Sequence, residues 1–168
     1  WGADTVTANC HISALGAGTS SIVAKGAGST INIDGDRAGQ GVVTALESGT
    51  VTLEASGKNG AVNISNDDST GHGIHVDAAS SASVTAEGAG GTVTIESAGT
   101  GILVEGSSIV DVKAGELVSI SGANAAVKAQ GDNAATAGTA EIAPKNVQIS
   151  ADGLGSIYEF CPGYQTGQ

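Results

Sequence analysis

The chain has 168 residues, of which Gly, Ala, Ser and Thr supply 87 and Trp, Tyr and Phe together supply four. Seventeen Asp and Glu residues against six scattered Lys and Arg residues give a net charge of −11, which disfavours nucleic acid and anionic lipid as partners. The length suits one domain, Gly follows no three-residue register of the collagen kind, and no apolar run approaches the roughly 20 residues that membrane insertion requires.

Short apolar–polar–apolar triplets recur along the chain and predict the strands. The first coil is expected at residues 6–8, 12–14 and 22–24. Three series then alternate in a constant order. The first series comprises residues 31–33, 62–64, 93–95, 118–120 and 147–149. The second comprises residues 43–45, 74–76, 102–104 and 125–127, and the third comprises residues 51–53, 84–86, 110–112 and 140–142.

The spacing of these triplets predicts the fold. Apolar residues at positions i and i+2 lie on one face of a strand, and each strand is too short to bury that face alone. Stacking equivalent strands of successive repeats closes a continuous core. We therefore expect an all-β protein, a three-sided parallel β-helix (a solenoid) of about five to six coils, right-handed by the general crossover preference.

The end of the chain differs from the repeats. Three of the four aromatic residues, Tyr158, Phe160 and Tyr164, fall in the last eleven positions. Open solenoid ends need large apolar side chains to cover the core, so these residues predict a cap, with a receptor-contacting patch as the alternative. The expected organisation is a parallel β-helix over residues 1–150 and a C-terminal tail or cap over residues 151–168.

The Gly/Ser/Thr/Ala-rich coils, such as residues 49–54 (GTVTLE) and 90–106 (GGTVTIESAGTGILVEG), resemble the β-helical passenger domains of bacterial autotransporters, the type V secretion proteins. The resemblance implies secretion or exposure at the bacterial cell surface, with adhesion or host-receptor engagement as the role and a link to virulence. The chain is short for such a passenger and lacks a membrane barrel, so we expect a released passenger or a fragment.

Polar residues concentrate in two predicted loops, residues 34–41 and 65–73. The pairs Asp67-Asp68 and Gly71-His72-Gly73 look like two motifs of polygalacturonases, but there the motifs lie about a coil apart, and that family's basic substrate-binding motif is missing here. A polar turn explains the same residues better than a metal site does. The candidate partner-binding residues in and beside these loops are Asp34, Asp36, Arg37, Asp67, Asp68, His72 and His75.

The leading hypothesis for function is a secreted, non-catalytic binding module for a host cell-surface protein or glycan, with no cofactor, no metal and no catalytic residues. The alternatives are a β-helical carbohydrate-active enzyme, a polysaccharide hydrolase or lyase, and a purely structural stalk. An enzyme of that kind would need a cleft lined by carboxylates from adjacent coils.

The two cysteines, Cys10 and Cys161, pose a question of geometry. In a straight rod they would lie about 25 Å apart, whereas a disulfide needs Cα atoms about 4.4–6.8 Å apart. An intramolecular disulfide therefore requires the tail to fold back along a flank of the rod. The alternatives are two free thiols, one cysteine buried as a small apolar residue, and an intermolecular disulfide.

Overall fold

The computed structural model describes residues 2–129 in full and the backbone of residues 139–151 and 156–160. These residues form strands joined by turns, and among them no helix is long and apolar enough to cross a bilayer. The strands are β1 (Thr5–Ala8), β2 (Ile12–Leu15), β3 (Thr19–Lys25), β4 (Thr30–Gly35), β5 (Gly41–Leu46), β6 (Thr50–Ser56), β7 (Ala61–Asn66), β8 (His72–Val76), β9 (Ser81–Ala86), β10 (Thr92–Ser97), β11 (Thr100–Val104), β12 (Ile109–Gly122), β13 (Ala125–Ala129), β14 (Thr139–Ala151) and β15 (Ser156–Phe160).

Every strand pairs in parallel with its equivalent one coil away, and the pairs build three faces. Face 1 stacks β1, β4, β7, β10, residues 117–122 of β12 and residues 146–151 of β14. Face 2 stacks β2, β5, β8, β11, β13 and β15. Face 3 stacks β3, β6, β9, residues 109–114 of β12 and residues 139–144 of β14. The prediction of an all-β parallel β-solenoid is confirmed.

The number of coils differs slightly from the expectation. Within residues 2–129 four coils are complete, namely β1–β3, β4–β6, β7–β9, and β10 to the first part of β12. A fifth is present in part, as the rest of β12 and β13, so the fully described region holds slightly fewer coils than the five to six expected. β14 and β15 continue the stacks beyond it.

The register follows the predicted triplets on face 1 and departs from them three times elsewhere. The face 1 triplets at 31–33, 62–64, 93–95, 118–120 and 147–149 are direct neighbours in successive layers, as expected. On face 3, the triplet 51–53 aligns with residues 20–22 and 82–84, in place of the predicted 22–24 and 84–86. On face 2, residues 127–129 align in place of 125–127. Each correction amounts to two residues, because a shift of two keeps the same side chains pointing inward.

Inward side chains of the inner coils form ladders of branched aliphatic residues. Ile33, Ile64, Ile95 and Ile120 occupy one such ladder on face 1, and each is at most 1% exposed. Val, Ile, Leu and Ala make up the rest of the hydrophobic core cluster. The thin core explains the scarcity of aromatic residues, because a narrow coil has room for β-branched side chains and little more.

The tail is described only in part. β15 lies beside β13 and extends face 2 at the opposite end of the stack from β2, so residues 156–160 do not fold back along a flank. The proposed boundary between residues 150 and 151 stays a prediction. Tyr164 and Cys161, with the capping and disulfide roles expected of them, lie outside the described residues. Among the described residues Cys10, at the exposed first corner of coil 1, has no disulfide partner.

Candidate functional site

The corner between face 1 and face 2 changes width along the rod. It spans residues 9–11 in coil 1, 36–40 in coil 2, 67–71 in coil 3, 98–99 in coil 4 and 123–124 in coil 5. Two residues therefore suffice to turn this corner, yet coils 2 and 3 use five each. The two wide corners stack on each other, and we refer to residues 34–41 and 65–73 together as the corner surface.

Backbone hydrogen bonds join the two layers of the corner surface. Asp67 N donates to Gly35 O (3.0 Å) and His72 N donates to Gln40 O (2.9 Å), one at each end of the loops. Between them, Gly39 N donates to the Thr70 hydroxyl oxygen (3.0 Å). The wide corners are thus extensions of the strand ladder rather than loose loops.

Asn66, the last residue of β7, holds the corner from the inside. Its side chain points inward and the residue is 1% exposed. Its Oδ1 accepts from the backbone N–H groups of Arg37 and Asp68, both at 3.1 Å. Its Nδ2 donates to the carbonyl oxygens of Arg37 (3.2 Å), Gln40 (3.1 Å) and His72 (2.9 Å). One buried amide therefore lies within hydrogen-bond distance of five backbone groups of the corner, and its two N–H groups are shared among the three carbonyl oxygens.

Because Gly71 has no side chain, there is room beside it for the amide of Asn66. A Cβ at position 71 would collide with the carbonyl oxygen of Arg37 and the side-chain amide of Asn66. Asn66 and Gly71 therefore form one structural unit. A glycine is required at position 71 because the neighbouring atoms lie too close for a Cβ, and not because of its backbone dihedral angles.

The outer side of the corner surface carries exposed charge. Asp34, Asp36 and Asp67 are exposed. Asp34 accepts a hydrogen bond from the Ser65 hydroxyl at 2.5 Å in the next layer. Arg37 lies among them, where its guanidinium donates to His11 Nδ1 (3.0 Å) and to the side-chain oxygen of Gln40.

Asp68 acts within its own turn. Its Oδ1 accepts from the hydroxyl of Thr70 (2.6 Å) and from the backbone N–H of Thr70 (2.7 Å). These two hydrogen bonds, the hydroxyl one first, lower the pKa of Asp68 below its usual range. The carboxylate is therefore ionised at neutral pH and fixes the shape of the turn, while Asp36 and Asp67 remain the carboxylates available to a partner.

The two predicted histidines lie on the outer side of face 2, where β8 leaves the corner. Their rings meet edge to face with centroids 5.3 Å apart. His75 Nε2 lies 3.0 Å from Glu105 Oε2 of the next coil, and both side chains are largely buried. The structure thus assembles His72, His75 and Glu105 as a cluster beside the corner carboxylates. Glu105 was missed by the sequence reasoning, although the alignment of residues 74–76 with 102–104 already places it one layer from this pair.

Burial lowers the pKa of His72 from 6.5 to about 4, with a smaller effect of His75 in the same direction and an opposing one of Glu105. Because the folded pKa is depressed, the unfolded chain binds a proton before the folded chain does as pH falls. The stability contributed by neutral His72 is complete above pH 6.5 and is lost progressively toward pH 4.

We expect the melting temperature of the wild-type protein to fall between pH 6.5 and pH 4 more steeply than that of His72→Gln, which cannot take up this proton. Thermal unfolding followed by circular dichroism at half-unit pH steps measures both slopes. His11→Gln, at an exposed position, serves as the control and should follow the wild type. Equal slopes for the wild type and His72→Gln would contradict the assignment.

Face 1 carries a second polar feature that the sequence reasoning did not single out. A shallow groove runs across the layers, and Asn63 Nδ2 donates to Asn32 Oδ1 (2.9 Å) along its floor. Asp34 and Glu96, two coils apart in one row, flank it with Ser65 between them. The side chains that line this groove include no His, Lys or Arg. The sequence does carry one signal for this groove. Asn32 and Asn63 are the middle residues of the triplets 31–33 and 62–64, so their amides face outward in adjacent layers.

Within the fully described residues, no group of three or more His, Cys, Asp and Glu side chains is placed to hold a metal ion. Comparison with known proteins adds no identity: no protein-family model, no curated protein and no solved structure matches this chain. The class that the fold defines is a parallel β-solenoid with one widened, acidic corner.

Proposed function

We propose that this chain is a non-catalytic binding module, secreted or exposed at a bacterial surface like the autotransporter passengers that it resembles, and that its corner surface contacts a host cell-surface protein or glycan. The observation that supports this proposal is the pair of widened corners. A solenoid turns this corner with two residues in coils 4 and 5, so the extra residues of coils 2 and 3 serve the surface and not the core.

The construction of the corner surface also favours binding. Asn66 and the stacked backbone bonds fix the loops before any partner arrives, so little conformational entropy is lost on association. Asp36 and Asp67 project from this fixed frame beside Arg37, within a chain of net charge −11. The complementary partner presents basic or hydrogen-bond-donating groups, and such charges accelerate its association.

The alternative of a β-helical carbohydrate-active enzyme would use the groove on face 1. Two layers of about 4.8 Å separate Asp34 from Glu96, which is near the carboxylate spacing of inverting glycosidases. Both carboxylates are exposed, and Asp34 accepts a hydrogen bond from Ser65, so neither lies in the enclosed apolar environment that a general acid of such an enzyme occupies. We therefore favour binding without catalysis.

The test is a binding screen of the purified chain against a panel of cell-surface proteins and glycans, by surface plasmon resonance in 150 mM salt. For any ligand that binds, we expect Asp36→Asn/Asp67→Asn to weaken affinity at least tenfold. Both side chains are exposed, and the residues take no part in the Asn66 network except through the backbone of the loops, so the fold should be retained.

The matched control is Glu47→Gln/Glu87→Gln, which removes the same charge from exposed residues at the other two corners. It should change affinity less than twofold. Equal loss in both double variants would indicate a non-specific effect of net charge. The absence of binding across the whole panel would contradict the proposal and favour the structural stalk.

A further inference from the structure

The groove on face 1 crosses several layers and runs onto the corner surface. Its first part spans coils 2 to 4 between Asn32 and Glu96, and its second part continues to Ser121 of coil 5. Ser65 and Glu96 line both parts, so the two form one groove, and Asp67 of the corner surface lines the second part. Three layer steps of about 4.8 Å give a length of roughly 14 Å, which suits a short stretch of an extended polymer.

The floor of this groove offers hydrogen-bonding groups that the protein itself does not use. The bond from Asn63 Nδ2 to Asn32 Oδ1 (2.9 Å) leaves Asn32 Nδ2 and Asn63 Oδ1 without a partner within the described residues. The hydroxyl of Thr94, one layer further in the same row, makes no hydrogen bond among them either. Amides and hydroxyls each supply donors and acceptors. The floor therefore presents both kinds of group to a ligand, layer after layer.

The charge of the groove selects against acidic ligands. Asp34 and Glu96 are exposed along it, and Asp67 is exposed where it meets the corner surface. Among the described residues, no Lys, Arg or His lines the groove to offset these charges. Ligands that carry uronic acid, sialic acid or sulfate groups are therefore repelled. A carboxylate is a strong acceptor for a neutral sugar hydroxyl, because a hydrogen bond to a charged oxygen is stronger than one between neutral groups.

A cationic peptide is the other class of ligand that these carboxylates attract. Its Lys and Arg side chains only donate hydrogen bonds, so they match the carboxylates and leave donors of the floor such as Asn32 Nδ2 unmatched. The hydroxyl groups of a sugar both donate and accept, and a chain of sugar rings repeats them along its length. A neutral polysaccharide therefore matches the floor and the acidic side together.

Face 3 carries a groove as well, but it is less suited to such a ligand. It lies between Thr52 and Glu87, spans coils 2 and 3 alone, and has no side-chain amide in its lining. Two of its hydroxyls are already used, since Thr85 donates to Leu53 O (3.5 Å) and Ser56 donates to Ala24 O (3.3 Å). This second groove therefore provides a matched control surface.

We propose that the groove on face 1 binds an unbranched neutral polysaccharide, which lies across the layers with one end on the corner surface. The proposal names a ligand class for the binding function proposed above and rests on that function. Residues 2–129 contain no Trp, Tyr or Phe that would stack on the sugar rings, so hydrogen bonds supply most of the affinity. We expect a dissociation constant on the order of 0.1–1 mM.

The test is a titration of the isotope-labelled chain, followed by backbone amide chemical shifts in 150 mM salt. The neutral probes are cellohexaose, mannohexaose, xylohexaose and N-acetylchitohexaose, and the comparison probes are the acidic hexagalacturonate and the cationic hexalysine. We expect at least one neutral probe to bind and to shift amides of face 1, and hexagalacturonate not to bind. Binding of hexalysine alone, or of no probe, would overturn the proposal.

The test variant is Asn63→Ala/Glu96→Ala, which removes one amide of the floor and one flanking carboxylate. We expect it to weaken binding of the neutral probe at least tenfold. Thr52→Ala/Glu87→Ala is the matched control, since it removes one half-buried polar and one exposed acidic side chain from the groove on face 3. It should change affinity less than twofold, and circular dichroism confirms that both variants are folded. An equal loss in the two variants would overturn the assignment to face 1.

Asp36→Asn/Asp67→Asn separates this inference from the function proposed for the corner surface. A loss of affinity in both this variant and Asn63→Ala/Glu96→Ala would support the two proposals together. A loss in the groove variant alone would support the groove and contradict the role of the corner surface. A loss in the corner variant alone would leave the proposed function standing and overturn the polysaccharide site on face 1.

Discussion

Asn66→Ala should lower the free energy of unfolding by about 2–4 kcal/mol. The substitution removes five hydrogen bonds and leaves backbone groups of Arg37, Asp68, Gln40 and His72 without that partner. A buried polar group that loses its partner costs about 1–3 kcal/mol, and water entering at the corner reduces the sum. The loss should also loosen the corner surface itself, because backbone hydrogen bonds join the two loops at their ends, while the bond between them runs from Gly39 N to the Thr70 side chain.

The matched control is Asn63→Ala, three residues earlier on the same strand. Asn63 faces outward, is only partly buried, and makes one side-chain hydrogen bond, to Asn32. We expect it to cost less than about 1 kcal/mol, in the range of an ordinary surface hydrogen bond. Urea unfolding followed by circular dichroism measures both variants.

Asn66→Asp tests separately the hydrogen bonds that the side chain of Asn66 donates. An aspartate keeps the two hydrogen bonds that Oδ1 accepts but removes the three donated by Nδ2, and places a charge at a buried position. It should therefore be at least as destabilising as Asn66→Ala. If Asn66→Ala and Asn63→Ala destabilised the protein equally, the amide would not be the support that its geometry implies.

The alternation of apolar residues predicted the fold class but not the register. A triplet identifies which side chains point inward, and this was enough to stack face 1 correctly. It does not distinguish registers two residues apart, since both keep the same side inward, and this is why residues 22–24, 84–86 and 125–127 were misaligned.

The candidate site was predicted in part. The density of Asp and His marked the two loops, and the constant order of the strands implied that equivalent corners would stack. The separate roles of the residues were not visible, because Asn66 and Asp68 look alike as members of a polar turn. Burial decides between them: the amide of Asn66 faces inward and the carboxylate of Asp68 stays within its exposed turn.

Ile64→Ala should destabilise the protein by about 2–5 kcal/mol, the range for truncating a fully buried isoleucine. Ile64 is 1% exposed and lies between Ile33 and Ile95 in adjacent layers. The thin core has no large side chain to move into the vacated space, and the strand ladder holds the layers at a fixed spacing of about 4.8 Å. The cavity should therefore remain open and its full cost should be measured.

Because each coil of a solenoid contacts only its neighbours, the position of the substitution matters as well as its size. Loss of packing in coil 3 weakens both of its interfaces, so Ile64→Ala should also broaden the unfolding transition by populating partly unfolded rods. Ile109→Ala is the control: its side chain is 53% exposed on the outer side of face 3, and its truncation should cost less than about 1 kcal/mol. Urea titrations monitored by circular dichroism compare the midpoints and slopes of the three chains. A loss in Ile64→Ala no larger than that in Ile109→Ala would mean that the inward ladder of face 1 does not carry the stability of the rod.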